Sequence, residues 1–284
     1  HSIRKSNVTL KVLTPKVLGI LNVTPDSFSD GGNWMDVDRA QEQALELVRQ
    51  GADAIDIGGE STRPGSVEVS LQEELARVIP VLEAISGKIN VPISIDTRRA
   101  KVAQAAVDLG ASMINDTSAL QDDPELVHVI ADAQVKVVLM HRQGIPSTMQ
   151  SSPGYGDVIG EIRDYLIDRI KFCENAGILR ESIIVDPGLG FGKRLVDNYE
   201  IGRGLEEFRA LGVPLLIGAS RKSFTGTFDD SPPENRLPAS LAFVSRARDA
   251  GVEWVRVHDV RETVTFLSAL AAIENPVLVE GGLS

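Results

Sequence analysis

The sequence predicts a single-domain α/β protein of the (β/α)8 TIM-barrel type. A unit made of a short apolar strand, a Gly/Asp/Ser/Thr-rich loop and a helix of about three turns returns about eight times along the chain. The strands are too apolar to leave one face of a sheet in water, which is typical of parallel strands covered on both faces. The length of 284 residues suits a barrel folded in one piece.

The first predicted strand, residues 17–21, leads into a polar stretch that begins at Asn22 and is interrupted by proline and glycine. These residues stop a helix from forming early, so the strand is expected to deliver a loop to one end of the fold. The following helix, residues 37–50, has apolar side chains at helical spacing and is expected to end at Gly51. The other predicted strands cover residues 54–57, 93–95, 113–114, 137–140, 183–185, 215–217 and 254–257, and the other helices cover residues 71–85, 100–109, 124–133, 157–176, 198–211, 234–250 and 262–273.

The predicted barrel covers residues 17–275. Residues 1–16 are expected to hold a tag remnant, since the chain starts at His1 without Met, and a short hairpin over residues 3–13. Residues 276–284 are expected to form a C-terminal tail. A doubly wound open sheet is the alternative fold, but no Gly-x-Gly-x-x-Gly turn follows the first strand and no composition shift marks a second lobe.

Composition places the chain among soluble globular proteins, with 43% hydrophobic and 24% charged residues. The apolar runs fall short of the ~20 residues that a membrane helix needs, and no signal segment is visible, so the expected location is the cytoplasm. The single cysteine, Cys173, is expected to be a buried thiol on a helix. A net charge of −11 argues against nucleic acid and anionic membrane as partners. An anionic small molecule would need basic residues gathered locally.

Polar and charged residues follow the predicted strands at their carboxyl ends, where barrel enzymes build their active sites. Carboxylates and amides among them suit a flat, nitrogen-rich ring, because a carboxylate can accept hydrogen bonds from two N–H groups. The cations and one further amide suit phosphate oxygens. The first group is Asp96, Asn115 and Asp186, and the second is Asn22, Arg63, Arg256 and His258.

Each of these residues has a simpler structural explanation. A lone Asp after a strand more often caps the next helix. Arg256 is more informative, because an Arg inside an apolar strand must reach the rim or find a partner, and His258 faces the same way two residues later. Lys222 lies just past a strand end. The glycines between Asp186 and Lys193 lack the strand-to-helix context of a phosphate cradle and are expected to let a loop open.

The motifs LNVTPDSFSDGG, GGESTRPG, SIDT, IND, LMH, DPGLGFGK, SRKS and RVHD occur in this order across nearly the whole chain. With them the sequence resembles the dihydropteroate synthase family of folate biosynthesis. The resemblance implies the barrel fold and a transfer reaction that joins 4-aminobenzoate to the methylene of a dihydropterin diphosphate and releases pyrophosphate. It also implies sulfonamide binding, a homodimer and Mg²⁺ as cofactor, and a dissociative mechanism without a protein nucleophile.

The resemblance further implies three subsites and a lid. It assigns the pterin ring to Asp96, Asn115, Met140, Asp186, Phe191, Gly218 and Lys222, the diphosphate to Asn22, Arg63, Arg256 and His258, and 4-aminobenzoate to Phe28, Thr62, Pro64, Phe191, Lys222 and Ser223. Asn22 would also hold the Mg²⁺. Catalysis is implied for Arg63, Lys222, Arg256 and His258. Residues 24–32 are expected to be a mobile lid that carries Phe28.

Two residues depart from the family pattern, Thr117 and Arg142, and both adjoin the expected ring site. Two other functions fit the same barrel: a corrinoid-dependent pterin-binding methyltransferase domain and a non-catalytic pterin-binding paralogue. The first has no need of a diphosphate site, so Arg63, Arg256 and His258 argue against it.

Overall fold

The computed structural model describes residues 14–24, 33–61 and 66–280, in which short strands alternate with helices along the chain. The strands are β1 (Lys16–Asn22), β2 (Ala54–Gly58), β3 (Ile93–Asp96), β4 (Met113–Asp116), β5 (Lys136–Met140), β6 (Ile183–Asp186), β7 (Leu216–Ile217) and β8 (Trp254–Val257). The helices are α1 (Asn33–Arg49), α2 (Leu71–Ile85), α3 (Ala100–Asp108), α4 (Leu126–Ala133), α5 (Val158–Asn175), α6 (Leu195–Arg203), α7 (Leu205–Arg209), α8 (Leu237–Asp249), α9 (Val260–Glu274) and α10 (Val277–Glu280).

The strands form one parallel sheet in the order β6-β5-β4-β3-β2-β1-β8-β7. The two ends of this sheet meet at a parallel bridge between Val185 and Leu215, where the Val185 N–H donates to the carbonyl of Pro214 at 2.9 Å. Chain order is therefore preserved around a nearly closed ring. The predicted (β/α)8 barrel is confirmed, and the open-sheet alternative is wrong.

Apolar side chains fill both faces of the strands, as expected for parallel strands that carry helices outside and a packed core inside. In β2, Ile55 and Ile57 belong to the large cluster between strands and helices, whereas Ala54 belongs to a small cluster inside the ring. The other members of this inner cluster are Leu18, Met113, Val138, Ile184, Leu216 and Trp254. Toward the carboxyl ends of the strands, the inward positions become polar. The barrel therefore opens at this end into a polar pocket, here called the mouth, whose base is the apolar inner cluster.

The helices follow their sequence signals closely. Helix α2 has the predicted bounds and begins at Ser70, whose Oγ accepts a hydrogen bond from the N–H of Glu73 at 3.2 Å. The helix predicted over residues 198–211 is instead two helices, α6 and α7, which meet at Gly204. A side chain there would come within 3.1 Å of Ile159 on α5, so close packing at this break favours glycine.

Other predictions concern the ends of the chain and Cys173. The hairpin expected over residues 3–13 lies outside the described residues, and part of the expected C-terminal tail is helical as α10. Cys173 is buried on α5 as predicted, and burial raises the pKa of its thiol to about 12. Within the described part of the chain, no helix combines the length and the apolar character that crossing a membrane requires.

Candidate active site

Strand register brings most of the predicted site residues to one rim. In the sheet, Asp96 pairs with Asn115, and Met140 pairs with Asp186, each at the carboxyl end of its strand. Because carboxyl ends of parallel strands meet at one end of a barrel, the rest of the set joins them there. These residues are Asn22 at the end of β1, Gly218 and Lys222 after β7, Arg256 within β8 and His258 directly after it.

Arg256 is held by two carboxylates inside the barrel. Its Nε donates to Oδ2 of Asp56 at 2.6 Å, and its Nη2 donates to Oδ2 of Asp96 at 2.9 Å. The side chain therefore pairs with partners, as its place in an apolar strand predicted, and also lies at the rim. Its remaining nitrogen, Nη1, makes no hydrogen bond to the part of the chain that the structure describes. That edge of the guanidinium can bind an anion.

Burial and the Arg256 charge oppose each other at these carboxyls. Burial raises the pKa of Asp96 to about 7, against the opposing effect of Arg256, and the neighbouring Asp56 raises it further. Burial lowers the pKa of Arg256, but the charges of Asp56 and Asp96 more than offset this, so its pKa lies above its ordinary value. The guanidinium thus stays charged while Asp96 can gain a proton near neutral pH.

Asp56 is a site residue that the sequence analysis missed. It lies in the middle of β2, is fully buried, and its Oδ2 also accepts a hydrogen bond from Nδ2 of Asn115 at 3.0 Å. The signal was present in the sequence, because an acid between Ile55 and Ile57 needs a buried partner as much as Arg256 does. One carboxylate oxygen therefore joins a predicted ring-binding residue to a predicted phosphate-binding residue.

Asp186 and Lys222 form the opposite wall of the mouth. Oδ1 of Asp186 accepts a hydrogen bond from the N–H of Gly188 at 2.7 Å, and Nζ of Lys222 donates to the carbonyl of Leu189 at 2.6 Å. The same Nζ lies 4.6 Å from the ring centroid of Phe191, within reach of a cation–π interaction. Burial raises the pKa of Asp186 and lowers that of Lys222 to about 8, and each charge partly counteracts the shift of the other.

The glycines after β6 have a packing role that the sequence analysis did not foresee. Gly188 has φ +72°, and a Cβ there would lie 1.9 Å from the carbonyl oxygen of His141. Gly192 has φ +63°, and a Cβ there would lie 2.1 Å from the carbonyl oxygen of Gln143. Only glycine tolerates both the left-handed backbone and this proximity. We predicted that these glycines let a loop open, and this stays a prediction; in the structure they allow the loop to pack against the segment after β5.

Lys193 holds the loop after β6 in place through buried contacts. The sequence analysis gave this residue no role. It is almost fully buried, and its Nζ donates to the carbonyl oxygen of Phe191 at 3.0 Å and lies 3.1 Å from Nδ1 of His141. Burial lowers the pKa of Lys193 to about 7 and that of His141 to about 3. A neutral imidazole can then accept from the amine, and the pair fixes the backbone that carries Phe191.

His258 is oriented by Ser220, across the β7–β8 boundary. Oγ of Ser220 accepts a hydrogen bond from the backbone N–H of His258 at 3.1 Å and lies 2.9 Å from its Nδ1. Ser223, predicted for 4-aminobenzoate, is exposed at the start of a 3-10 turn that directly follows Lys222.

Four predicted site residues, Phe28, Thr62, Arg63 and Pro64, lie outside the described residues, as does most of the predicted lid. The segment 62–65 follows Glu60 and Ser61. Glu60 is tied to the neighbouring loop, because its Oε2 lies 3.3 Å from Nε of Arg98.

Arg98 continues this connection to the next two loops. It pairs with Asp122 at 3.1 Å, and Asp122 in turn pairs with Arg142 at 2.6 Å. Arg142, one of the two departures from the family pattern, is therefore engaged by an acid of the rim. Thr117, the other departure, is buried directly after β4.

Magnesium prefers oxygen ligands, keeps much of its water and usually takes few protein side chains. Asn22, half-buried at the end of β1, offers an amide oxygen of this kind. No group of three or more His, Cys, Asp or Glu side chains suited to a metal occurs in the described ranges. Asn22 thus fits a magnesium ion carried mainly by a phosphate ligand.

Known proteins similar in sequence to this chain are pterin-binding enzymes. The sequence profile of the family described as "Pterin binding enzyme" matches residues 18–258. Dihydropteroate synthase of Escherichia coli K12 is 46% identical over 264 residues, covering 93% of each chain. Dihydropteroate synthase of Synechocystis is 48% identical over 245 residues, covering 86% of this chain and 85% of the relative.

Solved structures give the same result. Xanthomonas albilineans dihydropteroate synthase with 4-aminobenzoic acid superposes with a TM-score of 0.87 at 44% identity, covering 93% of this chain and 94% of that one. Yersinia pestis dihydropteroate synthase in a sulfonamide drug complex superposes with a TM-score of 0.87 at 44% identity, covering 95% of this chain and 98% of that one.

The barrel with its polar rim is that of a pterin-binding enzyme, the class defined by the profile match. The chain belongs to this family, and within it to the dihydropteroate synthases. The family resemblance inferred from the motifs is thereby confirmed, and the synthase is favoured over the methyltransferase alternative.

Proposed function

We propose that the rim around Arg256 is where this chain joins 4-aminobenzoate to a dihydropterin methyl diphosphate, giving 7,8-dihydropteroate and pyrophosphate. The observation that carries this proposal is the direct pairing of Arg256 with Asp96, which puts an anion-binding cation beside ring-binding acceptors. A substrate that bears both a nitrogen-rich ring and a diphosphate matches this juxtaposition. A free pterin would leave the cationic edge of Arg256 unused.

The ring is held, in this proposal, by acceptors at three strand ends. Asp96, Asn115 and Asp186 accept its N–H groups, and the buried side chains of Met140 and Phe191 supply apolar contacts to its faces. Gly218 leaves room beside the ring, because a Cβ there would lie within 3.8 Å of Nζ of Lys222. The acceptors hold the ring in place while positive charge develops on its methylene group.

The diphosphate is placed at the cations on the other side. Nη1 of Arg256, the imidazole of His258 and the guanidinium of Arg63 would contact its oxygens, with Asn22 beside them. As the carbon–oxygen bond breaks, negative charge accumulates on the leaving oxygens, and preorganised donors there stabilise the transition state. The nitrogen of 4-aminobenzoate then attacks the methylene and loses a proton. The protein supplies no nucleophile in this scheme.

Magnesium would be held mainly by the diphosphate and by the Asn22 amide oxygen. When bound, it would neutralise part of the charge on the leaving group. Arg256 and His258 bind and orient the same group from the protein side.

The second substrate is placed nearest to Lys222 and Phe191. Their cation–π arrangement, with Ser223 exposed alongside, provides a cation for a carboxylate and a ring edge for an aromatic amine. Phe28, Thr62 and Pro64 would complete this subsite from the two loops that lie outside the described residues.

We also propose that the protein is a cytoplasmic homodimer. Apolar side chains are exposed near the end of the chain, where Ile273 closes α9 and Val277 and Leu278 lie on α10. Burial of such a surface favours self-association. Sedimentation equilibrium tests this directly, and a monomer at micromolar concentration would contradict it.

The reaction itself is tested by pyrophosphate release. We expect release to require both 4-aminobenzoate and the pterin diphosphate, and to slow when magnesium is chelated. Release that is independent of 4-aminobenzoate would indicate a hydrolase and would contradict the proposal. Asn22→Ala, compared with the wild type over a magnesium titration, then tests the metal assignment through the magnesium concentration required for half-maximal rate.

A further inference from the structure

Asp56 occupies an unusual place for an acid. Its side chain is fully buried inside the barrel, in strand register with Ser94 of β3, one layer below the rim. A single oxygen, Oδ2, accepts hydrogen bonds from both Asn115 and Arg256. It takes no direct part in the proposed reaction.

The bond from Asn115 fixes the direction of an amide. A carboxylate can only accept hydrogen bonds, so Asn115 must turn its NH₂ group toward Asp56. Its amide oxygen is then turned away from Asp56 and is left for a ligand. Asp96 and Asp186 also act as acceptors, so three side chains of the ring-binding part of the pocket present acceptors, which suits the amino and N–H groups of the ring.

Stability does not explain this acid. Oδ1 of Asp56 and Oγ of Ser94 are both buried without a hydrogen-bond partner among the described residues. A buried, incompletely paired carboxylate is costly compared with a neutral side chain of similar size. Besides pairing with Arg256, an acceptor at this position fixes the orientation of the Asn115 amide above it.

We propose that Asp56 is a positioning residue that determines substrate specificity, because its carboxylate fixes the Asn115 amide with the acceptor toward the ring pocket. It thereby selects a 2-amino-4-oxo ring over a 2,4-dioxo ring, which carries an acceptor in place of the amino group. This inference rests on the proposed function, since it takes Asn115 as a ring contact.

The test compares two small ligands on the full chain by calorimetry, a 2-amino-4-oxopteridine and pteridine-2,4-dione. Asp56→Leu removes the acceptor and keeps a side chain of similar size, so Asn115 is free to turn over. We expect affinity for the 2-amino ring to fall at least about tenfold, and its ratio to the affinity for the 2,4-dione to fall similarly. Ser94→Ala, at the same depth on the neighbouring strand, should leave both unchanged.

A purely structural role would weaken both ligands equally, so a ratio unchanged in folded Asp56→Leu overturns the inference. If Asp56→Leu does not fold, Asn115→Ala replaces it, since it removes the acceptor that Asp56 orients and should collapse the same ratio; an unchanged ratio there also overturns the inference. Asp186→Asn is measured in parallel. Retained binding in that variant would count against the proposed site itself, whereas lost binding there with an unchanged ratio in Asp56→Leu would count against Asp56 alone.

Discussion

Nη2 of Arg256 and Oδ2 of Asp96 are 2.9 Å apart, although sequence analysis assigns the first to a diphosphate and the second to a ring. The two subsites therefore share an ion pair. A change to one partner alters the charge that the other presents to its own ligand. From sequence alone, Arg256→Ala is expected to weaken the diphosphate-bearing substrate far more than a free pterin, and the ion pair modifies this expectation.

Arg256→Lys separates the two effects. Lysine keeps a charge near Asp56 and Asp96 but loses the planar fork, so we expect affinity for pyrophosphate to fall about tenfold or more and affinity for a free pterin to fall much less. Arg256→Ala leaves the two buried acids unpaired and should cost about 3–5 kcal/mol of stability while weakening both ligands. Calorimetry with each ligand measures the difference. Equal losses for both ligands in Arg256→Lys would contradict the diphosphate assignment.

The pH profile should report on both walls of the pocket. Burial raises the pKa of Asp96 to about 7, so its carboxylate form increases as the pH rises through 7. Burial lowers the pKa of Lys222 to about 8, so its charge is lost as the pH rises through 8. Because binding requires the ionised form of each, kcat/KM should rise toward neutrality and fall in mildly alkaline solution.

The control for this profile is Lys222→Arg, which keeps a charge at all accessible pH values. Its alkaline limb should move well above pH 8 while the acidic limb stays in place. An alkaline limb that does not move in this variant would show that another group causes it.

Asp186→Asn should abolish pterin binding. One oxygen of Asp186 is already used by the N–H of Gly188, and an asparagine that keeps this bond must turn its NH₂ group toward the N–H groups of the ring. Loss of a charged acceptor together with the donor–donor conflict should reduce affinity by about 100-fold or more. Equilibrium binding of a fluorescent pterin measures it, and unchanged affinity would refute the contact.

Asp116→Asn is the matched control, since it also alters a buried acid at a strand end. Both of its oxygens are used by its own loop: Oδ1 accepts from the N–H of Ser118 and Oδ2 from the N–H of Leu120, each at 2.7 Å. This variant should lose stability and keep its affinity for pterin. The comparison separates an acid that supports a loop from one that binds a ligand.

Gly188→Ala should disrupt the loop beneath Phe191. A Cβ at this position would overlap the carbonyl oxygen of His141, and the backbone has φ +72°. Gly177→Ala is the control, because Gly177 has φ +90° but open space around its Cβ position. The control should cost only the ~1–2 kcal/mol of left-handed strain, a few degrees of melting temperature. Gly188→Ala should cost at least twice that, and equal losses would show that strain alone accounts for both.

Strand periodicity and strand-end chemistry were enough to predict the barrel and the residues that its carboxyl ends bring together. The predicted list of site residues was incomplete where a side chain's partner comes from a distant strand. Asp56 and Arg256 are 200 positions apart, and only the closed ring makes them neighbours. Lys193 was missed for a similar reason, because its burial depends on the backbone of another loop.

At the end of β4 the strand-end pattern selected Asn115 and gave its neighbour Asp116 no role. In the structure Asp116 uses both of its oxygens on its own loop, whereas one oxygen of Asp186 accepts from the N–H of Gly188. Hydrogen-bond geometry makes this distinction between two acids at strand ends.

The seam between β6 and β7, where a single bridge joins Val185 to Leu215, is expected to govern local opening of the barrel. Elsewhere neighbouring strands are joined by two to five paired residues, whereas here one bridge at Val185 closes the ring, and Asp186 directly follows it. Lys222, on the far side of the seam, belongs to the same wall of the mouth as Asp186 and donates to the loop after β6. Local opening is cheapest where the fewest backbone hydrogen bonds break. The Val185 amide should therefore exchange with deuterium faster than that of Val138 in mid-sheet, and a bulky ligand can gain width along this line without unfolding the rest.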